Sequence, residues 1–342
     1  MEGKVVIVTG ANAGIGLETA RQLYAKGAHV IVACRSQQRA ESAIQNIKST
    51  TKSNGKLEFI PLALDSFTSV HDFAGRFKQK RLPLHVLVCN AGLNSYSVPP
   101  DQQRTTEGFD FMWQVNYLSH FLLTQLLLED LKKSAPSRIV NLSSVMHRIG
   151  NPDFARHEAD KSSSKKVSGS YNDSKLAMAL ISYEMQERLA GDNITVHACN
   201  PGAVNSEIWR ATLKTGPLSP LFATIKRSIM LKPAQGCTPS VSAASDPQLG
   251  DRRTRYINPY WHPAGGNIAK QQPVKAFKCF GLVPFVCQLF DALSTFGGPT
   301  EATPTKAARD MVNAKRLYEL SEREKHEQEE SWFTSEAFQI WK

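Results

Sequence analysis

The sequence predicts a doubly wound α/β fold, a parallel sheet with helices on both faces. Three observations carry this. Short apolar, β-branched runs alternate with helical stretches over residues 4–258. The first run ends in a glycine-rich turn, and a helix follows that turn at once. Strands that are apolar on both faces belong to parallel sheets, whose crossover helices bury them from either side.

Lys4-Val-Val-Ile-Val8 is the first strand. Thr9-Gly-Ala-Asn-Ala-Gly-Ile-Gly16 comes next, and its glycines at 10, 14 and 16 allow a tight turn with a close approach of backbone to a bound group. Leu17 to Lys26 then reads as a helix whose N-terminus faces that spot. Free N–H groups and the helix dipole favour an anion there, and a pyrophosphate fits. The spacing is G-x-x-x-G-x-G, not the more common G-x-G-x-x-G. An ordinary glycine-rich turn is the competing reading. A run at residue 9 predicts a chain that opens on the first strand with no leader or anchor before it, so membrane attachment is expected only from the far end.

Apolar runs at 28–34, 57–62, 84–89, 137–142 and 194–199 continue the sheet. Helical stretches at 16–26, 36–49, 66–80, 107–133 and 171–190 lie between them. Right-handed crossovers follow. A helix at 233–245 and a short strand near 254–258 complete a Rossmann-type domain spanning residues 1–258, with no internal repeat.

Three stretches break the rhythm. Residues 151–170 are polar and read as a surface loop. Residues 203–232 are apolar in patches and are expected to cover a substrate, with Ile208, Trp209, Leu218, Leu221, Phe222 and Ile229 as lining. Packing of that lid onto the core is the plainer alternative. Residues 259–305 form an insert of unassigned role, with an apolar centre too short to span a bilayer and interrupted by Pro284. Its 276–296 portion has three readings: a further lid, a peripheral membrane contact or a subunit contact. Residues 306–342 read as a charged helix and aromatic tail packed on the same domain.

The 342 residues suffice for one large α/β domain or two small ones. Net charge is +10, from 41 basic and 31 acidic side chains, but these are spread along the chain. No basic arm or aromatic-interleaved patch supports nucleic-acid binding, and a solvated basic surface explains the excess. The six cysteines, at 34, 89, 199, 237, 279 and 287, show no C-x-x-C pair and no metal-ligand spacing. No metal is expected, and the cysteine usage points to an intracellular, cytoplasmic setting. The sequence sets no oligomeric state.

Chemistry is expected from Tyr171-Asn-Asp-Ser-Lys175. The i, i+4 spacing puts a phenol and an ammonium on one helix face. A nearby cation favours the phenolate and lowers the tyrosine pKa from about 10. Such a tyrosine can exchange a proton with a carbonyl or alcohol oxygen. A chance pair on a solvated face is the alternative. Arg138-Ile-Val-Asn-Leu-Ser-Ser144 ends a strand in two hydroxyls at the C-terminal sheet edge, where open α/β sheets bind ligands. Cys89-Asn-Ala-Gly92 and Asn200-Pro-Gly202 end strands at the same edge. Asn116 sits inside a helical stretch, although asparagine is a poor helix former.

These residues resemble the short-chain dehydrogenases/reductases over about residues 3–258, with the motifs in the family's order. Thr9 to Gly16 matches the cofactor turn. Asn90, Ala91 and Gly92 match the strand-four motif. Asn116, Ser144, Tyr171 and Lys175 match the catalytic set, and Pro201, Gly202, Val204 and Ser206 the nicotinamide-side loop. Asn200 to Ile208, the long gap between Ser144 and Tyr171, and Ala314 to Ser321 are similar to the retinol dehydrogenase and WW-domain oxidoreductase group. The resemblance implies that Tyr171 is the acid/base and that Lys175 lowers its pKa and holds the nicotinamide ribose. It further implies that Ser144, rather than Ser143, binds the reacting oxygen, and that Asn116 holds a water in the proton relay. Thr9, Gly10, Asn12, Ala13, Gly14, Ile15 and Gly16 would hold the dinucleotide.

The cofactor expected is NADP(H). An acid at the end of the second strand would hold a 2′-hydroxyl, but Ala33-Cys34-Arg35 stands there, and Arg35 can pair with a 2′-phosphate, an ordinary surface charge being the competing reading. Asp65 matches the family's adenine-contacting acid and is also expected to cap the helix beginning near Ser66. His197 reads as packed in its strand, while His147 lies near the site. The reading is an NADP(H)-dependent oxidoreductase acting on a small, bulky apolar carbonyl or alcohol of the retinoid, steroid, lipid aldehyde or aromatic ketone class. An NAD-linked alcohol dehydrogenase and a non-catalytic dinucleotide sensor or scaffold are the alternatives.

Overall fold

The computed structural model describes residues 1–95, 97–98, 101–160, 162, 167–202, 204–205, 231–250, 256–258 and 307–333, with side chains to residue 326. Seven strands form one parallel sheet in the order β3-β2-β1-β4-β5-β6-β7. They are β1 (Val5–Thr9), β2 (His29–Cys34), β3 (Lys56–Pro61), β4 (Val86–Cys89), β5 (Ser137–Leu142), β6 (Ile194–Cys199) and β7 (Tyr256–Ile257). Every residue of β1 is buried, and the alternation of the strand sends Val5 and Ile7 into one core and Val6 and Val8 into the other. That two-sided burial is why the runs read as continuous rather than alternating. Strand order reverses between β1 and β4, which opens a crevice at their C-terminal ends.

Helices α1 (Gly14–Ala25), α2 (Gln37–Thr50) and α3 (Phe67–Gln79) follow the first three strands. Helix α1 starts inside the glycine run, so Gly16 lies in its first turn. The cap of α3 differs from expectation. Ser66 Oγ accepts from Ser69 N at 3.4 Å, and the Asp65 carboxylate turns instead to Arg35. A hydroxyl at the residue adjoining the helix reaches its free N–H, so the neighbouring acid is left available.

The expected helix at 107–133 is broken. Asp110 Oδ1 accepts from the N–H groups of Met112 and Trp113 and starts α4 (Phe111–Trp113). A π-helical turn, Gln114–Leu118, follows, then α5 (Ser119–Leu126) and α6 (Leu128–Lys133). Such widened turns occur often at functional sites, and this one contains Asn116. Helix α7 (Ser170–Arg188) enters from Gly169, whose φ of 80° suits a residue without Cβ. The helix expected at 233–245 divides into α8 (Pro233–Gly236) and α9 (Thr238–Ser245).

Helix α10 (Met311–Phe333) lies along α7. Tyr117 Oη and Ser321 Oγ are 2.8 Å apart, and the Arg188 guanidinium stacks 3.8 Å from the Tyr318 ring centre. Among the described residues no helix is long and apolar enough to cross a membrane, and no cluster of three metal-ligating side chains occurs. The lid lining from Ile208 to Ile229, the insert with its 276–296 segment, Ser206 and the tail beyond 333 lie outside the described residues.

Candidate functional site

The first strand delivers Thr9 to the crevice, where it is fully buried. Its Oγ1 accepts from the backbone N–H groups of Asn90 and Ala91, each at 2.9 Å. Asn90 Nδ2 in turn donates to the Thr9 carbonyl at 2.7 Å. These bonds draw the end of β4 against the glycine turn. Gly10 takes φ +64°, and a Cβ there would lie 3.0 Å from Ala91 Cα. A Cβ on Gly16 would run into the Gly10 carbonyl and Asn90 Nδ2.

The cradle fits a dinucleotide. Ala13, the residue before α1, supplies no side-chain cap, so the first-turn N–H groups stay available to an anion. Gly14 has φ +54°, Asn12 is half-buried in the turn, and Ile15 packs on the core. Asn90 Oδ1 is buried at this edge with no hydrogen-bond partner among the described residues, a vacancy that a ligand hydroxyl can fill.

Lys175 is 4% exposed, and its Nζ donates to the Leu142 carbonyl at 2.9 Å. The ammonium lies 5.8 Å from the centre of the Tyr171 ring, one helical turn away. A Cβ on Gly92 would sit 3.3 Å from Lys175 Nζ and 3.4 Å from Asn116 Oδ1, so this glycine adjoins both side chains. Burial lowers the Lys175 pKa from 10.5 to about 8.

The two serines after β5 divide their work. Ser143 Oγ donates to the Lys175 carbonyl at 2.7 Å and is spent on holding α7 to the sheet. Ser144 Oγ accepts from Met146 N at 3.3 Å, which leaves its own proton to donate. The Ser144 carbonyl is held by Tyr256 Oη at 3.0 Å and His147 Nδ1 at 2.7 Å. Burial drops the His147 pKa to about 4. Tyr256, on the short last strand, had no motif to mark it in the sequence.

The Asn116 side chain makes three hydrogen bonds. Its Oδ1 accepts from Leu93 N at 2.9 Å, and its Nδ2 donates to the Leu93 carbonyl and to Ser174 Oγ. The side chain thus joins the loop after β4 to the residue preceding Lys175. Asn200 Oδ1 accepts from Val145 N and Gly202 N, tying the loops after β5 and β6. Pro201 is buried, Gly202 has φ +75°, and buried Val204 bridges to Leu231. Arg35 is largely exposed beyond β2, and its Nη1 lies 3.4 Å from Asp65 Oδ2. His197 is packed, with Nε2 2.9 Å from the Leu249 carbonyl.

The geometry unites Tyr171, Lys175, Ser144, Asn116 and the glycine cradle at one sheet edge. A sequence model of the family described as short chain dehydrogenase matches residues 4–216. The chain belongs to the short-chain dehydrogenase family.

Within that family it falls in the retinol dehydrogenase-like group. It is 40% identical over 256 residues to retinol dehydrogenase 12 of Mus musculus, covering 75% of this chain and 78% of that one. It is 39% identical over 264 residues to the WW domain-containing oxidoreductase of Homo sapiens, covering 75% of this chain and 61% of that protein's length. Among solved structures, an uncharacterized protein from Mycobacterium paratuberculosis superposes with a TM-score of 0.63 at 26% identity, over 94% of this chain and 93% of that one. As a short-chain dehydrogenase/reductase, the chain is an oxidoreductase acting on CH–OH groups, on a fold that binds a nicotinamide dinucleotide.

Proposed function

We propose that this short-chain dehydrogenase interconverts a carbonyl and an alcohol on a bulky apolar substrate, using NADP(H), with Tyr171 as acid/base. The observation that carries the reading is the buried Lys175 ammonium beside Tyr171, bonded to a carbonyl rather than a carboxylate. A cation whose charge is not cancelled nearby stabilises the phenolate that is left when Tyr171 gives up its proton. In reduction Tyr171 donates its proton to the carbonyl oxygen, and the Ser144 hydroxyl donates a hydrogen bond to the same oxygen. Bound in the cradle, the nicotinamide supplies or accepts the hydride. Thr9 to Gly16, Asn90 to Gly92, Pro201, Gly202, Val204 and Ser206 are the residues that would hold the dinucleotide, with Asp65 toward the adenine. Asn116 supports the site by holding the loop after β4 and Ser174.

Arg35 supports NADP(H), because a guanidinium pairs with a 2′-phosphate whereas a carboxylate would repel it. The Arg35–Asp65 contact favours a second reading, an NAD-linked dehydrogenase in which Asp65 holds Arg35 back. The names of the relatives, retinol dehydrogenase above all, support an apolar alcohol or aldehyde as substrate.

The test is cofactor consumption by the purified chain across retinoid, steroid, lipid-aldehyde, aromatic-ketone and sugar carbonyls, with NADPH and NADH compared. Highest kcat/KM on an apolar carbonyl with NADPH is expected. A preference for small polar sugars would overturn the substrate class, and a preference for NADH the cofactor.

A further inference from the structure

We infer that His120 is a positioning residue that sets the cofactor turn and the Asn116 segment in register through one proton-ordered chain. The inference rests on the proposed roles of those two segments. His120 is 1% exposed, on the first turn of α5. One ring nitrogen, Nδ1, lies 3.2 Å from the Asn116 carbonyl, and the other, Nε2, lies 2.9 Å from Thr9 Oγ1.

The hydrogen bonds assign the protons. A carbonyl oxygen only accepts, so Nδ1 carries the hydrogen. Burial makes a second ring proton costly, and the nearby Lys175 ammonium opposes it further. The ring is therefore neutral, and Nε2 presents a lone pair. Thr9 then donates its hydroxyl proton to Nε2, which leaves its own lone pairs for the N–H groups of Asn90 and Ala91. In the opposite tautomer two lone pairs would face each other at Asn116, and Thr9 Oγ1 would receive a third donor. The Val88 carbonyl, at 3.4 Å, is the more distant alternative for the Thr9 proton.

The chain thus runs from the backbone of Asn90 and Ala91, through Thr9 and the imidazole, to the backbone of Asn116. Asn116 in turn holds Leu93 and Ser174. Both the glycine cradle and the segment before Lys175 take their position from one buried ring. The imidazole divides into two halves that can be replaced separately. An asparagine amide reaches the Nδ1 position but not Thr9. A glutamine amide reaches toward Nε2 but not the Asn116 carbonyl.

The experiment uses the full chain. Nitrogen-15 spectra of histidine-labelled wild type, with the His120 signals assigned by their loss in His120→Gln, should show a neutral ring protonated at Nδ1. NADPH affinity by fluorescence titration and kcat are then measured for His120→Asn and His120→Gln. His120→Asn should weaken NADPH binding about three- to tenfold with kcat nearly unchanged. His120→Gln should keep NADPH affinity and lower kcat by a similar factor. A charged ring, an Nε2–H tautomer, or equal effects of the two variants on both quantities would overturn the proposal. Tyr171→Phe is run alongside. Full turnover in Tyr171→Phe would refute the proposed acid/base, while the spectra and the NADPH titrations would still decide the role of His120.

Discussion

Lys175 Nζ and the Leu142 carbonyl meet at 2.9 Å, where β5 ends beneath α7. The bond fixes an ammonium inside the protein, and among the described residues no carboxylate pairs with it. A buried cation without an opposite charge costs stability, a cost that the role proposed for Lys175 explains.

Lys175→Met should therefore stabilise the cofactor-free chain. The folded-state pKa is about 8 against 10.5 for the unfolded group, which corresponds to about 3 kcal/mol at pH 7. Between those values the unfolded chain binds more protons, so the Lys175 penalty is fully present below about pH 8 and is relieved as pH rises toward 10.5. Urea melts across pH 7 to 10.5 should show this relief in wild type and lack it in the variant. Activity of the variant should be lost.

Gly16→Ala should weaken both the fold and the cradle. The added methyl meets the Gly10 carbonyl and Asn90 Nδ2, neither of which can yield without moving the turn. A cost of about 1–3 kcal/mol is expected in denaturant melts, with NADPH affinity reduced in the same protein.

Arg35→Asp should reverse the cofactor preference. Loss of a charge-assisted pair costs about 1.5–3 kcal/mol, and the new carboxylate repels a 2′-phosphate while accepting from a 2′-hydroxyl. The ratio of kcat/KM for NADPH over NADH should fall by at least tenfold. Asp65→Asn, which releases Arg35 from its contact, should move the ratio the other way.

The parallel strands were readable because burial on both faces leaves unbroken apolar runs, and Val5 to Val8 is a direct example. The glycine turn was readable because a missing Cβ is itself a residue type. The break at Gln114–Leu118 was not, since those residues carry no pattern that separates a π-helical turn from an α-helix. Asp65 looked like a cap because acids and hydroxyls share that role, and only the fold shows Ser66 taking it. His120 left no local signal either. Its partner Thr9 is 111 residues away, and pairings of that kind exist only once the sheet has formed.

In the proposed reaction Tyr171 moves the proton while the rest of the site holds the cofactor and the reacting oxygen. Tyr171→Phe removes one oxygen and leaves the ring in place against Lys175. Its kcat with NADPH and an accepted carbonyl, measured beside NADPH affinity, tests this most directly. A kcat reduced by about 10²–10⁴-fold with NADPH affinity unchanged is expected, and turnover equal to wild type would refute the role of Tyr171.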